Sequence, residues 1–326
     1  MKKNNVYQIL EDKMGKEIGD YRRKWNEVFE YDKIFDFPLH INFELIEGCN
    51  LKCEYCVCSV PLKKDRDIIS FDKYKDIIDE GVRNNLQSIE LNGINEPLLQ
   101  KDIIKYIQYA HDSGILVISL HTNATLLNEN IADQLIKSGL TLLIFSLDAV
   151  KKTTYEDIRK GARYKNTISN IKKFLEIKNK IGSEFPLTKV SFVMNKVNQK
   201  EFSEFYDFWK DKVDFISSSD FCNPFIDDYD NYMKVENKYR LKSSGCVICR
   251  EPFQRIFISS NGDICPCCSF FGKDLKIGNI YQNSISEVWN NKKMTIVREF
   301  LNNKGDNLLD ACRKCRLSLI GIYRLE

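Results

Sequence analysis

No stretch of this chain is long and apolar enough to cross a bilayer. Its start, Met1-Lys2-Lys3-Asn4-Asn5 running on through Glu11-Asp12-Lys13, also lacks an apolar core of signal-peptide length. Both absences point to a cytosolic protein. Charge of one sign is missing too: 49 Lys+Arg against 46 Asp+Glu leave +3, too little and too dispersed for a nucleic-acid surface. No G-x-G-x-x-G follows the first candidate strand, so a dinucleotide-binding sheet has no support. What is present is ample: 326 residues, 43% hydrophobic, can build one large domain with a small appendage.

Cysteine is abundant, with twelve residues at 49, 53, 56, 58, 222, 246, 249, 265, 267, 268, 312 and 315. In a reducing compartment this clustering reads as metal binding rather than a disulfide framework.

Between the two cysteine groups, short β-rich runs alternate with amphipathic stretches. Strands are expected at Leu39–Leu45, Ser88–Leu91, Ile115–Leu120, Leu142–Leu147, Lys189–Met194 and Val213–Ser217. Phe71, Tyr74, Ile77, Ile78 and Val82 have helical spacing behind an N-cap Ser70. Alternation of this kind gives an α/β fold with a parallel sheet, and six such units fall short of the eight that close a full barrel. A laterally open, partial (β/α)6 barrel over residues 37–240 is therefore expected, with an open doubly wound sheet as the alternative. Residues 1–36 read as a charged helical extension. Residues 241–326 read as a small separate unit with strands at Arg255–Ser259 and Asp263–Pro266 and a helix from Ser284 to about Leu301.

The first strand runs straight into Glu47-Gly48-Cys49, at the end of the sheet where parallel α/β folds keep their chemistry. Three thiolates at C-x3-C-x2-C, Cys49, Cys53 and Cys56, can ligate three irons of a cubane and leave the fourth open. On spacing alone a zinc site with Cys58 as fourth ligand is the rival.

The segment Cys49-Asn50-Leu51-Lys52-Cys53-Glu54-Tyr55-Cys56 resembles the signature loop of the radical S-adenosylmethionine (SAM) superfamily, and the resemblance runs to about residue 217. It implies a 4Fe–4S cluster on the three cysteines, with Tyr55 near the adenine. It also makes Asn95-Glu96-Pro97 the counterpart of the "GEP" element that binds the SAM amino group, with Asn95 in place of the usual glycine. Without the resemblance, Glu96 could be an ordinary helix-start residue. His121-Thr122-Asn123 and Ser146-Leu147-Asp148 close the third and fourth strands, where relatives set polar groups against the SAM ribose and carboxylate. Arg159 matches an arginine that pairs with that carboxylate, a task suited to a guanidinium.

The C-terminal segment resembles the SPASM/twitch domains of one branch of the superfamily. Cys249, Gly262 and Cys267 fit C-x(9 to 15)-G-x4-C, and Cys312-Arg313-Lys314-Cys315 supplies C-x2-C, together implying a fully ligated second 4Fe–4S cluster. Cys246 rivals Cys249, which is preferred because Glu251-Pro252-Phe253 follows it. Positions where the full SPASM pattern continues are Gly321 and Leu325, so the shorter twitch form with one auxiliary cluster is the better match. A zinc ribbon is the plain competitor. Cys58, Cys222, Cys246, Cys265 and Cys268 read as small buried residues, or one of them as a hydrogen-atom donor; His40 and His111 read as structural.

The resemblance implies reductive cleavage of SAM by an electron from flavodoxin or ferredoxin, and hydrogen abstraction from a small-molecule or peptide substrate. Oxidation of a small hydroxylated, sugar-like metabolite is the first expectation. A maturase that crosslinks or epimerises a ribosomally made peptide is the second, and a non-catalytic iron–sulfur or zinc module the third.

Overall fold

The computed structural model describes residues 6–30, 33–57, 62, 64–221, 249–302 and 309–318. Cys58, Cys222, Cys246, Gly321 and Leu325 lie outside them. Six parallel strands form the body of the fold: β1 (His40–Phe43), β2 (Ser88–Glu90), β3 (Val117–Thr122), β4 (Leu142–Ser146), β5 (Leu187–Met194) and β6 (Phe215–Asp220). Between them run α3 (Phe71–Arg83), α4 (Ile103–Asp112), α5 (Glu129–Lys137), α6 (Lys152–Ile158), α7 (Tyr164–Ile181) and α8 (Phe202–Trp209), preceded by α1 (Val6–Met14) and α2 (Lys16–Glu30). This is the expected partial barrel.

Helix α3 starts where its sequence says it should: Ser70 Oγ accepts the Lys73 amide at 3.2 Å, and Tyr74, Ile77, Ile78 and Gly81 form its buried face. Side-chain alternation along the strands then divides the sheet. Phe43 packs on Tyr74 of α3, Phe145 on Phe174 of α7 and Phe192 on Phe205 of α8, so that face is the apolar core. Residues of opposite parity, including Asn42, Glu90, Ser119, His121, Lys189, Ser191 and Ser217, turn to the concave face, and parallel register sets them side by side. The concave lumen is thus polar.

The N-terminal extension closes one end of that lumen. Leu10 and Ile18 cluster with Val117, Leu187 and Phe215, which lie at the starts of β3, β5 and β6. Tyr21 and Val28 pack with Leu39 and Phe253. The opposite end, where the strands finish, carries the cysteine loop.

Beyond residue 248 come α9 (Glu251–Gln254), β7 (Arg255–Ile258), β8 (Asp263–Cys265), β9 (Gly278–Asn279), α10 (Ile285–Trp289), α11 (Lys292–Asn302) and α12 (Asp310–Ser318). The sheet order is β6-β5-β4-β3-β2-β1-β7-β8-β9, with β7 parallel to β1 from His40↔Arg255 to Phe43↔Ile258. The C-terminal unit therefore extends the barrel sheet. The single helix expected from Ser284 to about Leu301 is two helices. Asn290 ends α10, and Asn291 Oδ1 accepts the Met294 amide at 2.9 Å within the first turn of α11.

Candidate active site

The loop after β1 opens on Gly48, whose φ of +93° suits glycine, and is pinned from two sides. The Glu96 amide donates to the Gly48 carbonyl at 3.0 Å, while Lys52 and Glu54 amides donate to the carbonyls of Lys160 and Ile158 at 2.9 and 3.2 Å. Asn95 adds a clamp: its Nδ2 donates to the Ile46 carbonyl at 2.9 Å and its Oδ1 accepts the Gly93 amide at 2.9 Å. The departure from glycine at this position is thus a structural tie between two strand-end loops.

Two polar groups surround the thiols. In the first, the buried Glu96 carboxylate accepts from Thr122 Oγ1 at 2.6 Å, the Asn123 amide at 2.7 Å and the Leu98 amide at 3.2 Å. Burial raises the Glu96 pKa and those bonds only partly offset it. Asn123 Nδ2 in turn donates to Asn50 Oδ1 at 2.9 Å and approaches Cys49 Sγ at 3.7 Å. Ala124, left-handed at φ 59°, turns the chain there, and Asn170 Nδ2 holds its carbonyl at 2.9 Å.

In the second group, Asp148, fully buried and left-handed at φ 65°, collects three partners. Arg159 Nη2 donates to its Oδ2 at 2.5 Å, the Tyr55 hydroxyl donates to the same oxygen, and the Val193 amide donates to Oδ1 at 2.7 Å. Burial disfavours the Arg159 cation, but Asp148, Tyr55, Cys53 and Tyr155 together outweigh that and keep the guanidinium charged. Tyr55 is pushed upward by burial and by Asp148, and its ring lies 5.4 Å from that of Phe221. Arg159, matched by resemblance to a partner of the SAM carboxylate, is here held by Asp148. Ser146 stands apart from both groups at the end of β4, in register with Ser191.

The thiols suit iron. Burial raises Cys49 and takes Cys53 up to about 11, and the neighbouring Cys56 adds to both, as Cys49 does to Cys53. Neighbouring buried thiolates are stable only when cations share their charge, which iron supplies. Cys249, at about 12 through burial and then Glu251, also feels Cys315 and Cys312, and Cys267 is raised by burial, Cys268 and Cys249. Ser269 Oγ donates to Cys315 Sγ at 3.2 Å. Cys249 thus senses Cys312 and Cys315, and Cys267 senses Cys249, although no three His, Cys, Asp or Glu among the described residues come together as a metal-holding group. Cys265 instead feels Lys273 and Glu44, whereas Cys268 Sγ lies 3.8 Å from Glu251 Oε2.

Sequence reasoning passed over Asn50, Thr125, Val193 and Asn198. Asn198 Nδ2 donates to the Asp148 carbonyl at 2.7 Å, and Asn50 Nδ2 to Thr125 Oγ1 at 2.8 Å. For Thr125 and Asn198 the available signal was a polar residue about one turn past a strand end; Val193 acts through its backbone amide and left none.

A parallel partial barrel with a three-cysteine loop at its strand ends, continued by a unit that carries further free cysteines, defines a barrel protein with two sets of thiols of the kind that hold iron–sulfur clusters. The sequence model of the radical SAM superfamily matches residues 43–208, and that of an iron–sulfur cluster-binding domain, SPASM, matches residues 249–316. The chain belongs to the radical SAM superfamily, and its two domains imply SAM and two 4Fe–4S clusters. It is 29% identical over 170 residues to a GTP 3′,8-cyclase of Desulforamulus reducens, covering 51% of this chain but only 50% of that enzyme. It is 24% identical to the tungsten-containing aldehyde ferredoxin oxidoreductase cofactor-modifying protein of Pyrococcus furiosus, covering 85% of this chain and 87% of that one. The fold is like that of Streptococcus suis SuiB bound to S-adenosylmethionine, with TM-score 0.67 at 21% identity over 92% of this chain and 75% of that chain. No helix among the described residues is long and apolar enough to cross a membrane.

Proposed function

We propose that this enzyme oxidises a small hydroxylated, sugar-like metabolite, with an electron donor such as flavodoxin or ferredoxin feeding the first cluster. The observation that carries the reading is the lumen: Glu90, His121, Ser146, Lys189, Ser191 and Ser217 put hydrogen-bonding groups on every strand from β2 to β6, with Ser146, Ser191 and Ser217 side by side in one row. Such a wall matches hydroxyls rather than an apolar ligand.

In this reading Cys49, Cys53 and Cys56 hold the SAM-binding cluster, and Cys249, Cys267, Cys312 and Cys315 the auxiliary one. Bound there, the first cluster and SAM would supply a 5′-deoxyadenosyl radical that takes a substrate hydrogen atom. The chain's own residues do the placing. Buried Glu96 offers negative charge to the SAM amino group, and Asn123 fixes the Cys49 side of the loop. Tyr55 covers the adenine side, and Ser146 with the Asp148–Arg159 pair shapes the ribose and carboxylate end. The barrel wall keeps water from the radical.

Anaerobically reconstituted protein, reduced and supplied with SAM and a panel of C–H-deuterated sugars and cyclitols, tests the reading. The expected result is deuterium in 5′-deoxyadenosine and a product two hydrogens lighter. Deuterium entering a product of unchanged mass from heavy water would overturn oxidation in favour of epimerisation.

A further inference from the structure

Within the lumen one pair of side chains has the arrangement of a base and its orienting acid. His121 lies on β3, a central strand with β2 and β4 on either side, yet 39% of its side chain is exposed, so it faces open space inside the barrel. Its Nε2 is 3.3 Å from Glu90 Oε1. Burial opposes the ionisation of Glu90, but His121, His40, Arg255 and a hydrogen bond from Asn92 together hold its pKa below the ordinary value. An ionised carboxylate accepts only, so Nε2 carries the proton and Nδ1 is left as the free lone pair.

His40 provides an internal contrast. It lies 3.8 Å from the same carboxylate, but its Nδ1 is engaged with Ser88 Oγ at 2.8 Å and its ring is buried beside Trp25. One histidine is packed and the other is presented. His121 also sits two residues before Asn123, the residue against Cys49 Sγ. Two residues of extended chain put the His121 backbone roughly 7 Å from that of Asn123, one side-chain layer under the cysteine loop. Across the lumen, Lys189 of β5 shares its register row through Ile144, and the ammonium lowers the His121 pKa along with burial, while Glu90 raises it.

We propose that His121, oriented by Glu90, is the substrate-facing base that accepts the hydroxyl proton during oxidation. This rests on the reading of the enzyme as an alcohol oxidant. For a substrate R2CH–OH, His121 Nδ1 would take the O–H proton as the C=O bond forms; a 5′-deoxyadenosyl radical would supply the acceptor for the C–H hydrogen atom, and an oxidised cluster held by Cys249, Cys267, Cys312 and Cys315 the acceptor for the remaining electron. Glu90 stabilises the resulting imidazolium.

The first test is carbethoxylation of the reconstituted holoenzyme by diethyl pyrocarbonate, read by peptide mass spectrometry across pH. The chain has 3 histidines, so each is resolved. At pH 7 His121 should react while His40 does not. Its half-maximal reactivity should fall below pH 6.5, lower still in Glu90→Gln and higher in Lys189→Met. A His121 as inert as His40, or a pH profile indifferent to both substitutions, overturns the proposal. The second test uses deuterated cyclitols: His121→Gln should form ~100-fold less oxidised product per 5′-deoxyadenosine, partly restored by added imidazole. Equal coupling in wild type and variant overturns it. If wild-type enzyme oxidises no alcohol at all, the oxidation reading falls, and with it the proton-transfer step, while the labelling still reports the Glu90–His121 pair.

Discussion

The first three thiols lie within eight residues of one loop, whereas Cys249, Cys267, Cys312 and Cys315 span 67 residues of chain. Their surroundings differ as much as their spacing. Cys49 has the Asn123 amide beside it and Cys53 feels the Arg159 cation, both of which favour the thiolate. Cys249 has Glu251 beside it, which disfavours it, and Ser269 donates a side-chain hydrogen bond to Cys315 of the second set. The first set is polarised by groups that strand ends deliver. The second is assembled by folding of the whole C-terminal unit, so its integrity depends on long-range packing.

The largest test separates the two sets outright. Reconstituted protein should carry roughly eight irons. Changing Cys49, Cys53 and Cys56 to Ala should remove about half and abolish reductive SAM cleavage. Changing Cys249, Cys267, Cys312 and Cys315 should remove the other half and leave cleavage in place. Iron analysis and 5′-deoxyadenosine formation give the two readouts.

Next in size, Asp148→Ala strands the buried Arg159 cation, and a loss of about 3–5 kcal/mol is expected in urea unfolding. Lys276→Ala, which removes an exposed partner of Asp263 in the C-terminal unit, should change stability by less than about 1 kcal/mol.

Much of this contrast was legible in the sequence. The barrel strands and the thiol spacing stand out because hydrophobic alternation and cysteine intervals are local signals. The pairing of β7 with β1 was not, since parallel register between residues 40 and 255 leaves no mark on either segment. Nor was the engagement of Arg159 by Asp148, because a left-handed aspartate after a strand looks in sequence like any polar loop residue. Glu90 was read only as part of a strand, and its role emerges once β2 and β3 are side by side.

A smaller effect concerns pH, and two buried groups pull in opposite directions. Burial takes His40 down to about 3 from 6.5, so the folded state binds fewer protons than the unfolded one. The stability this gives is full above pH 6.5 and is lost as pH falls toward 3. Glu96 is raised above 4.5, so its contribution is full below that value and is lost as pH rises through the folded pKa. Chemical denaturation across pH should show a shallower acid limb in His40→Asn and a reduced loss on the rising side of pH 4.5 in Glu96→Gln.

A small change tests the start of α10, where the second unit meets the barrel. Ser284 and Glu287 form a capping box, and the amides of Ile285 and Ser286 donate to Glu80 of α3 at 3.0 and 2.8 Å. Ser284→Ala should cost about 1 kcal/mol, seen as a drop of a few degrees in the thermal midpoint, with the iron content unchanged.

The seam between β1 and β7 gives the molecule a property that neither cysteine set has by itself. Four residues of β1, the strand that leads into the first cysteine loop, run alongside a strand of the C-terminal unit. Removing that unit would uncover β1 as an unpaired sheet edge of the kind that seeds aggregation, so the C-terminal unit also serves as the barrel's edge cover.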